Sequence, residues 1–321
     1  MWRAIDVESG SMRTGILLSC LVLWGGVQAE CCAQRARGSL SPSSSSKKVA
    51  EPWATLTDEQ QQAAVGELKK FAQEARDKLG VPMGSAETKY FLFVSDLPPR
   101  EAQQWAGLLD RMYERLSEMF AVPAGKNIWR GKALIYVFSR NADYMRYEKD
   151  IMHTDAAKTA GMCHTSSTGT VRIAFHRQED QLEFAHVLVH ESVHGFLHRY
   201  HTPVPIPSWA NEGLAETIAT DLVPQGGRRD GVKRLAVENL ESHGRSVGDF
   251  FTTDHIADWQ YPVAQMLTSM MIEASKSNYV DFVNGMKDGL PWDESLRSRY
   301  KAPRERLVGV FGNWVGVRGL R

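Results

Sequence analysis

The sequence lacks an excess of either charge, because 38 lysines and arginines balance 38 aspartates and glutamates. Non-specific binding to nucleic acid needs a marked basic excess, so this class of function is excluded. Four cysteines among 321 residues are too few for a disulfide scaffold. No apolar run reaches the roughly 20 residues that a membrane-spanning helix needs. What is present, 43% hydrophobic and 24% charged residues, is typical of a folded globular protein.

The N-terminus has the pattern of a targeting segment. Arg13 precedes a short apolar run over 15–24, and small residues stand one and three positions before a cleavage site after Ala29. We therefore predict a signal peptide over 1–29, with Met12 as an alternative start. Export follows from this prediction, and the mature protein is expected to be secreted or periplasmic.

Two alternatives keep the chain on a membrane: a lipoprotein that begins at Cys20, and an uncleaved N-terminal anchor. Cleavage after residue 29 would leave Cys31 and Cys32 next to each other, where a mutual disulfide is strained, so we expect them to stay reduced or to react with another chain. Serine-rich residues 30–52 are predicted to be a flexible linker, and residues 53–321 the folded domain.

Hydrophobic periodicity divides the folded domain into two unequal parts. The first part combines helices with short apolar strands, and the part after Glu179 is nearly all helix. This order predicts an α+β domain with a small mixed sheet followed by a mostly helical half. The predicted helices are 55–79, 98–120, 141–149, 179–200, 208–222, 229–243 and 262–276, and the predicted strands are 90–94, 133–138, 161–164 and 170–175.

The helix predicted over 179–200 carries the motif His190-Glu191-Ser192-Val193-His194. Residues four apart lie on one face of a helix, so His190 and His194 can direct two imidazole nitrogens at one metal ion. Glu191 lies about 100° around the helix, where it can reach a water molecule on the metal but is poorly placed as a ligand. Two solvated surface histidines are the ordinary alternative.

A third ligand is predicted from the next helix. Prolines interrupt the chain after His194, and the segment Trp209-Ala210-Asn211-Glu212-Gly213-Leu214-Ala215-Glu216 then begins a helix that can fold back on the first. Glu212 is the predicted third zinc ligand. Glu216 lies one turn later on the same face and could accept the second N–H of a ligand histidine. Two exposed helix carboxylates are the ordinary alternative, which the position after the histidine motif disfavours for Glu212 and leaves open for Glu216.

Taken together, the two segments resemble the gluzincins, the thermolysin- and aminopeptidase-like zinc metallopeptidases. The resemblance covers about residues 88–315 and implies a thermolysin-like catalytic core with one Zn²⁺, as in minimal peptidase domains of exported bacterial proteins. Seventeen residues separate His194 from Glu212, one fewer than is typical of the aminopeptidases. The exopeptidase strand of those enzymes is absent, and Gly161-Met162-Cys163-His164 stands in its place. The resemblance also implies a tyrosine or histidine that steadies the oxyanion: Tyr261, or alternatively His255.

Other arrangements are less favoured. The metzincin pattern fails, because Leu197 and Tyr200 occupy the positions of its glycine and third histidine. His186 and His198 extend the ladder of histidines and are alternative ligands, although flanking histidines are more often solvated or support a ligand. Cys163 could block the metal as a thiolate, but a buried strand cysteine is the commoner case.

The sequence thus predicts an exported zinc peptidase that hydrolyses peptide or protein substrates, with Glu191 as the general base. A zinc amidase acting on cell-wall peptides is one alternative. The other is an inactive, peptidase-like binding module.

Overall fold

The computed structural model describes residues 50–157, 159–224 and 227–321. The predicted signal peptide, most of the predicted linker, Cys31 and Cys32 lie outside the described residues. The helices of the described residues are α1 (Asp58–Leu79), α2 (Pro99–Met119), α3 (Asn141–Tyr147), α4 (Gln181–Arg199), α5 (Ser208–Leu222), α6 (Arg228–Ser242), α7 (Tyr261–Ala274), α8 (Lys276–Lys287), α9 (Trp292–Tyr300) and α10 (Arg304–Val315). None of them is both long and apolar enough to span a membrane.

A five-stranded mixed sheet occupies the first half of the described residues. Its strands are β1 (Gly84–Glu87), β2 (Phe91–Ser95), β3 (Ala133–Phe138), β4 (Gly161–Thr165) and β5 (Val171–His176). They lie in the order β1-β2-β3-β5-β4. The three central strands are parallel, and the edge strands β1 and β4 are antiparallel to their neighbours. The α+β class and the mixed sheet that the sequence predicts are therefore confirmed.

Alternate residues of the central strands enter two separate cores. Leu92 and Val94 of β2 pack with α1 and α3, whereas Phe91 and Phe93 pack with α2 and α4. Both faces of the sheet are covered by helices, which explains why β2 and β3 are almost continuously apolar. Strand β1 was not predicted, because its four residues, Gly-Ser-Ala-Glu, are mostly exposed and have no apolar pattern.

The second half is a stack of helices that begins with α4. Asp180 caps α4 by accepting hydrogen bonds from the backbone N–H groups of Leu182 and Glu183. One side of α4 packs on β4 and β5 and the other on α5, and α5 in turn packs on α7. The α5–α7 approach is close, since a β-carbon at Gly213 would lie 2.5 Å from the carbonyl oxygen of Ala264. Helix α5 is thus held between α4 and α7.

The helix expected over 141–149 ends earlier, at Tyr147, and continues as a π-helical turn over Glu148–Met152. This turn buries the Glu148 side chain completely. The predicted helical half continues beyond α7 as the three helices α8, α9 and α10.

Candidate metal centre

His190 and His194 lie on successive turns of α4 and point to one place. Their Nε2 atoms are 3.1 Å apart, and both side chains are buried. Two imidazoles in this arrangement expose lone pairs to a shared point between α4 and α5. The i, i+4 spacing of the motif produces this geometry directly.

Glu212, on the second turn of α5, completes a triangle of donor atoms. Its Oε2 lies 3.2 Å from Nε2 of His190 and 3.4 Å from Nε2 of His194. Ligand atoms bound to tetrahedral zinc at about 2.0–2.1 Å lie about 3.3–3.5 Å from one another. Two imidazole nitrogens and one carboxylate oxygen are also a donor set that catalytic zinc sites use. The three donor atoms therefore have the spacing that a tetrahedral metal site requires.

Glu191 is buried beside this triangle. His190, Glu191 and His194 each have a potential ligand atom within 4.8 Å of the other two. This buried group could hold a metal ion. Neither carboxylate oxygen of Glu191 has a hydrogen-bond partner among the described residues. A β-carbon at Gly161 of β4 would lie 3.2 Å from Cγ of Glu191, so the edge strand packs directly on this side chain.

The second nitrogen of each histidine faces a side-chain oxygen atom. Nδ1 of His190 lies 3.1 Å from Oε1 of Glu216, and Nδ1 of His194 lies 3.1 Å from Oδ1 of Asn211. Partners of this kind fix the tautomer and ring orientation of a metal ligand. His186 stands one turn before His190, with its Nε2 3.5 Å from Oε2 of Glu216. It lies beside this outer carboxylate, and its ring also stacks on that of His190, with the ring centroids 6.4 Å apart.

Electrostatics favour a cation at the triangle. Burial alone would raise the pKa of Glu212, but the histidines at positions 194 and 190 outweigh it and lower that pKa to about 2. Burial likewise opposes charge on His190, yet hydrogen bonds and charges from Glu212 and Glu216 raise its pKa well above the usual value. The carboxylates thus hold positive charge among the imidazoles, which a divalent cation supplies more fully than a proton.

Tyr261 begins α7 and faces the same cluster. Burial, followed by the charges of Glu212 and Glu191, raises the pKa of its hydroxyl above the usual range. The hydroxyl therefore stays protonated at neutral pH and can donate a hydrogen bond. His255, the alternative to Tyr261, is exposed on the loop before α7.

Two other residues considered from the sequence lie elsewhere. Half-buried His198 directs its Nε2 at the carbonyl oxygen of Ser166, 3.3 Å away. Cys163 is buried in β4, where its Sγ would lie 3.6 Å from a β-carbon at Gly195 of α4.

Sequence reasoning missed Asn211 and the pair of His164 and Glu148, all of which lie around the centre. Asn211 directly precedes the predicted ligand, and that adjacency is the only signal that could have suggested it. His164 of β4 lies with its Nε2 2.8 Å from Oε2 of Glu148, and its charge acts on Glu191. This pair joins an edge strand to the π-helical turn, and no spacing in the sequence indicates such a contact.

No protein-family model matches the chain, and no curated protein matches it in sequence.

Proposed function

We propose that this chain is a zinc-dependent peptidase with a gluzincin-type, thermolysin-like catalytic core. The observation that supports the proposal best is the triangle of His190, His194 and Glu212 donor atoms, with 3.1–3.4 Å sides, next to the buried carboxylate of Glu191. The two halves of this arrangement come from separate helices. Either half alone would be ordinary.

His190, His194 and Glu212 would hold the zinc ion. When bound, zinc supplies Lewis acidity that favours ionisation of a water molecule and polarises a peptide carbonyl. Glu191 accepts the proton of the attacking water at a carboxylate oxygen and delivers it to the leaving amine. Burial raises the pKa of Glu191 while the two histidines lower it, which suits a group that must both take and give a proton.

The remaining polar groups stabilise the oxyanion and position the ligand histidines. The hydroxyl of Tyr261 donates a hydrogen bond to the oxygen that becomes negative as the carbonyl is attacked. Glu216 and Asn211 hold the rings of His190 and His194 in the orientation that presents both Nε2 atoms to the metal.

The test combines metal analysis with a peptide-library cleavage profile. Wild-type protein should hold one zinc per chain and cleave peptides, and Glu191→Gln should keep the zinc while losing at least about 10³-fold in kcat. Glu183→Gln, on the first turn of the same helix, is the matched control and should behave as wild type. Muropeptides are assayed in parallel, so that a cell-wall amidase would be recognised. Undiminished cleavage by Glu191→Gln would falsify the assignment of the base.

A further inference from the structure

A cavity of about 100 Å³ adjoins the metal centre. His194 and Asn211 of the centre form part of its wall, and the segment between α4 and α5, including Val204 and Ile206, forms another part. Its volume corresponds to about three molecules of liquid water, enough for the four or five heavy atoms of a polar side chain. A peptide bound at the metal would have such a side chain within reach of this cavity.

Lys287, the last residue of α8, also lines the cavity. It is only 1% exposed. Its Nζ donates hydrogen bonds of 2.8 Å to the carbonyl oxygens of Leu197 and Val204, and both of those residues line the same cavity. The acceptor on Leu197 belongs to the last turn of α4, where a cation is favourable. These two bonds use two of the three donors that an ammonium group carries.

No carboxylate among the described residues lies within ion-pair distance of Lys287. The cavity wall itself is free of acidic residues along the described chain. Its other basic side chains are His194, which belongs to the metal centre, and His198, whose pKa is lowered to about 4 by burial. Lys287 is therefore a buried cation whose polar contacts are neutral carbonyls. Burial lowers its pKa to about 7, so a carboxylate placed beside it would be stabilised and would restore its full charge.

We propose that this cavity is a specificity pocket that accepts an acidic side chain of the substrate, with the third N–H of Lys287 as the donor to its carboxylate. The inference rests on the proposed peptidase function and names its substrate class: peptides with glutamate or aspartate close to the scissile bond. A purely structural lysine would satisfy the same two carbonyls but would give no preference for acidic substrates.

The test uses peptide pairs that differ only by glutamate or glutamine at one of the three positions on either side of the scissile bond. Wild-type protein should cleave the glutamate peptide of one pair with a kcat/KM at least about tenfold higher, since a buried charge-assisted hydrogen bond has about that effect. In Lys287→Met the ratio should fall to about two or less. Thr202→Val is the matched control, because it removes the side-chain hydrogen bond to the backbone oxygen of Lys287 but keeps the ammonium group, and its ratio should equal that of wild type.

Binding provides a second, independent readout. Zinc-loaded Glu191→Gln should bind the fluorescent glutamate peptide about tenfold more tightly than the glutamine peptide by anisotropy, and the double variant with Lys287→Met should not discriminate. Equal rates and equal binding for every pair with the wild-type pocket, or a preference that persists in Lys287→Met, would overturn the pocket assignment. If no peptide is cleaved, the peptidase function itself fails, and the binding ratio alone then decides the role of Lys287. If Lys287→Met does not fold, the ratio of kcat/KM for glutamate and glutamine peptides in the wild-type protein decides the question.

Discussion

Each histidine of the candidate metal centre uses both of its ring nitrogens, one toward the metal position and the other toward a neighbouring side chain. His190 presents Nε2 to the triangle and Nδ1 to Glu216, and His194 presents Nε2 to the triangle and Nδ1 to Asn211. Both imidazoles are therefore oriented from two sides before any metal binds. A preorganised site of this kind loses little side-chain entropy when it takes up an ion.

Replacing Glu216 tests this orientation. Glu216→Gln should weaken zinc binding by about 10–100-fold, the range found when a carboxylate behind a ligand histidine is lost. Competition with a chromophoric chelator measures the dissociation constant. Asp221→Asn, at an exposed position on the same helix, is the control and should leave the constant unchanged. An unaltered constant in Glu216→Gln would show that His190 needs no such support.

Replacing Tyr261 tests whether its hydroxyl stabilises the oxyanion. Tyr261→Phe should lower kcat by about 10²–10³-fold, the usual cost of removing one donor of this kind, while zinc content stays at one per chain. Steady-state kinetics and metal analysis measure both. Tyr300→Phe removes a half-buried hydroxyl that donates to the carbonyl oxygen of Met271 in α7, the helix that Tyr261 begins, and it should leave kcat unchanged. If Tyr261→Phe lowers kcat no more than Tyr300→Phe does, Tyr261 takes no part in the mechanism.

The sequence was sufficient to predict those site residues that lie close together along the chain. His190, Glu191 and His194 share one helix, so the helical repeat alone places them in space. Glu212 required a further assumption, that the proline-rich segment turns α5 back on α4. His164 and Lys287 come from strands and helices distant in the chain, and side-chain contacts of that kind leave no periodic pattern to read.

At the scale of structural elements, α5 is closely packed, since it lies between α4 and α7. Its position depends on a residue without a side chain, Gly213, at the contact with α7. The predicted boundaries of most helices and strands agree with the structure to within one or two residues, because capping residues and apolar runs are local signals. Strand β1 and the π-helical turn escaped prediction because tertiary contacts, and not local preference, determine them.

A methyl group at Gly213 should separate α5 from α7. Gly213→Ala is expected to lower the free energy of unfolding by about 1–3 kcal/mol, as for other overpacked cores, and to weaken zinc binding because Glu212 directly precedes it. Urea denaturation measures the first effect. Gly66→Ala in α1, where no atom lies within 4 Å of the added β-carbon, should raise stability by up to about 1 kcal/mol. Equal responses of the two variants would contradict a close α5–α7 contact.

For the molecule as a whole, the proposed zinc ion would compete with protons for the same buried cluster. The metal-free fold gains stability from the raised pKa of His190, and this gain is complete below the unfolded-state value near 6.5 and is lost as the pH rises toward the raised value. Glu212, with a pKa of about 2, adds a stabilisation that is present above about 4.5 and disappears only as the pH falls through about 2. Zinc binding requires unprotonated imidazoles, so it strengthens as the pH rises.

The difference in Tm between zinc-loaded and metal-free protein should therefore grow from pH 6 to pH 8. At a free zinc concentration about 1,000 times the dissociation constant, mass action sets an upper limit of about 4 kcal/mol on the added stability. Differential scanning fluorimetry with and without a chelator measures the difference at each pH. His190→Ala should show almost no zinc-dependent shift at any pH. A shift that shrinks as the pH rises would exclude these imidazoles as the competing groups.

The three proposed ligands come from one short stretch, residues 190–212. Bringing the ends of so small a ring together costs little entropy even in an unfolded chain, since that cost grows only with the logarithm of ring size. Zinc should then retain measurable affinity for denatured protein, and its net stabilisation should fall below the simple mass-action value. During synthesis, the nascent chain could capture the ion once α5 has left the ribosome, before α7 arrives to lock the helix in position.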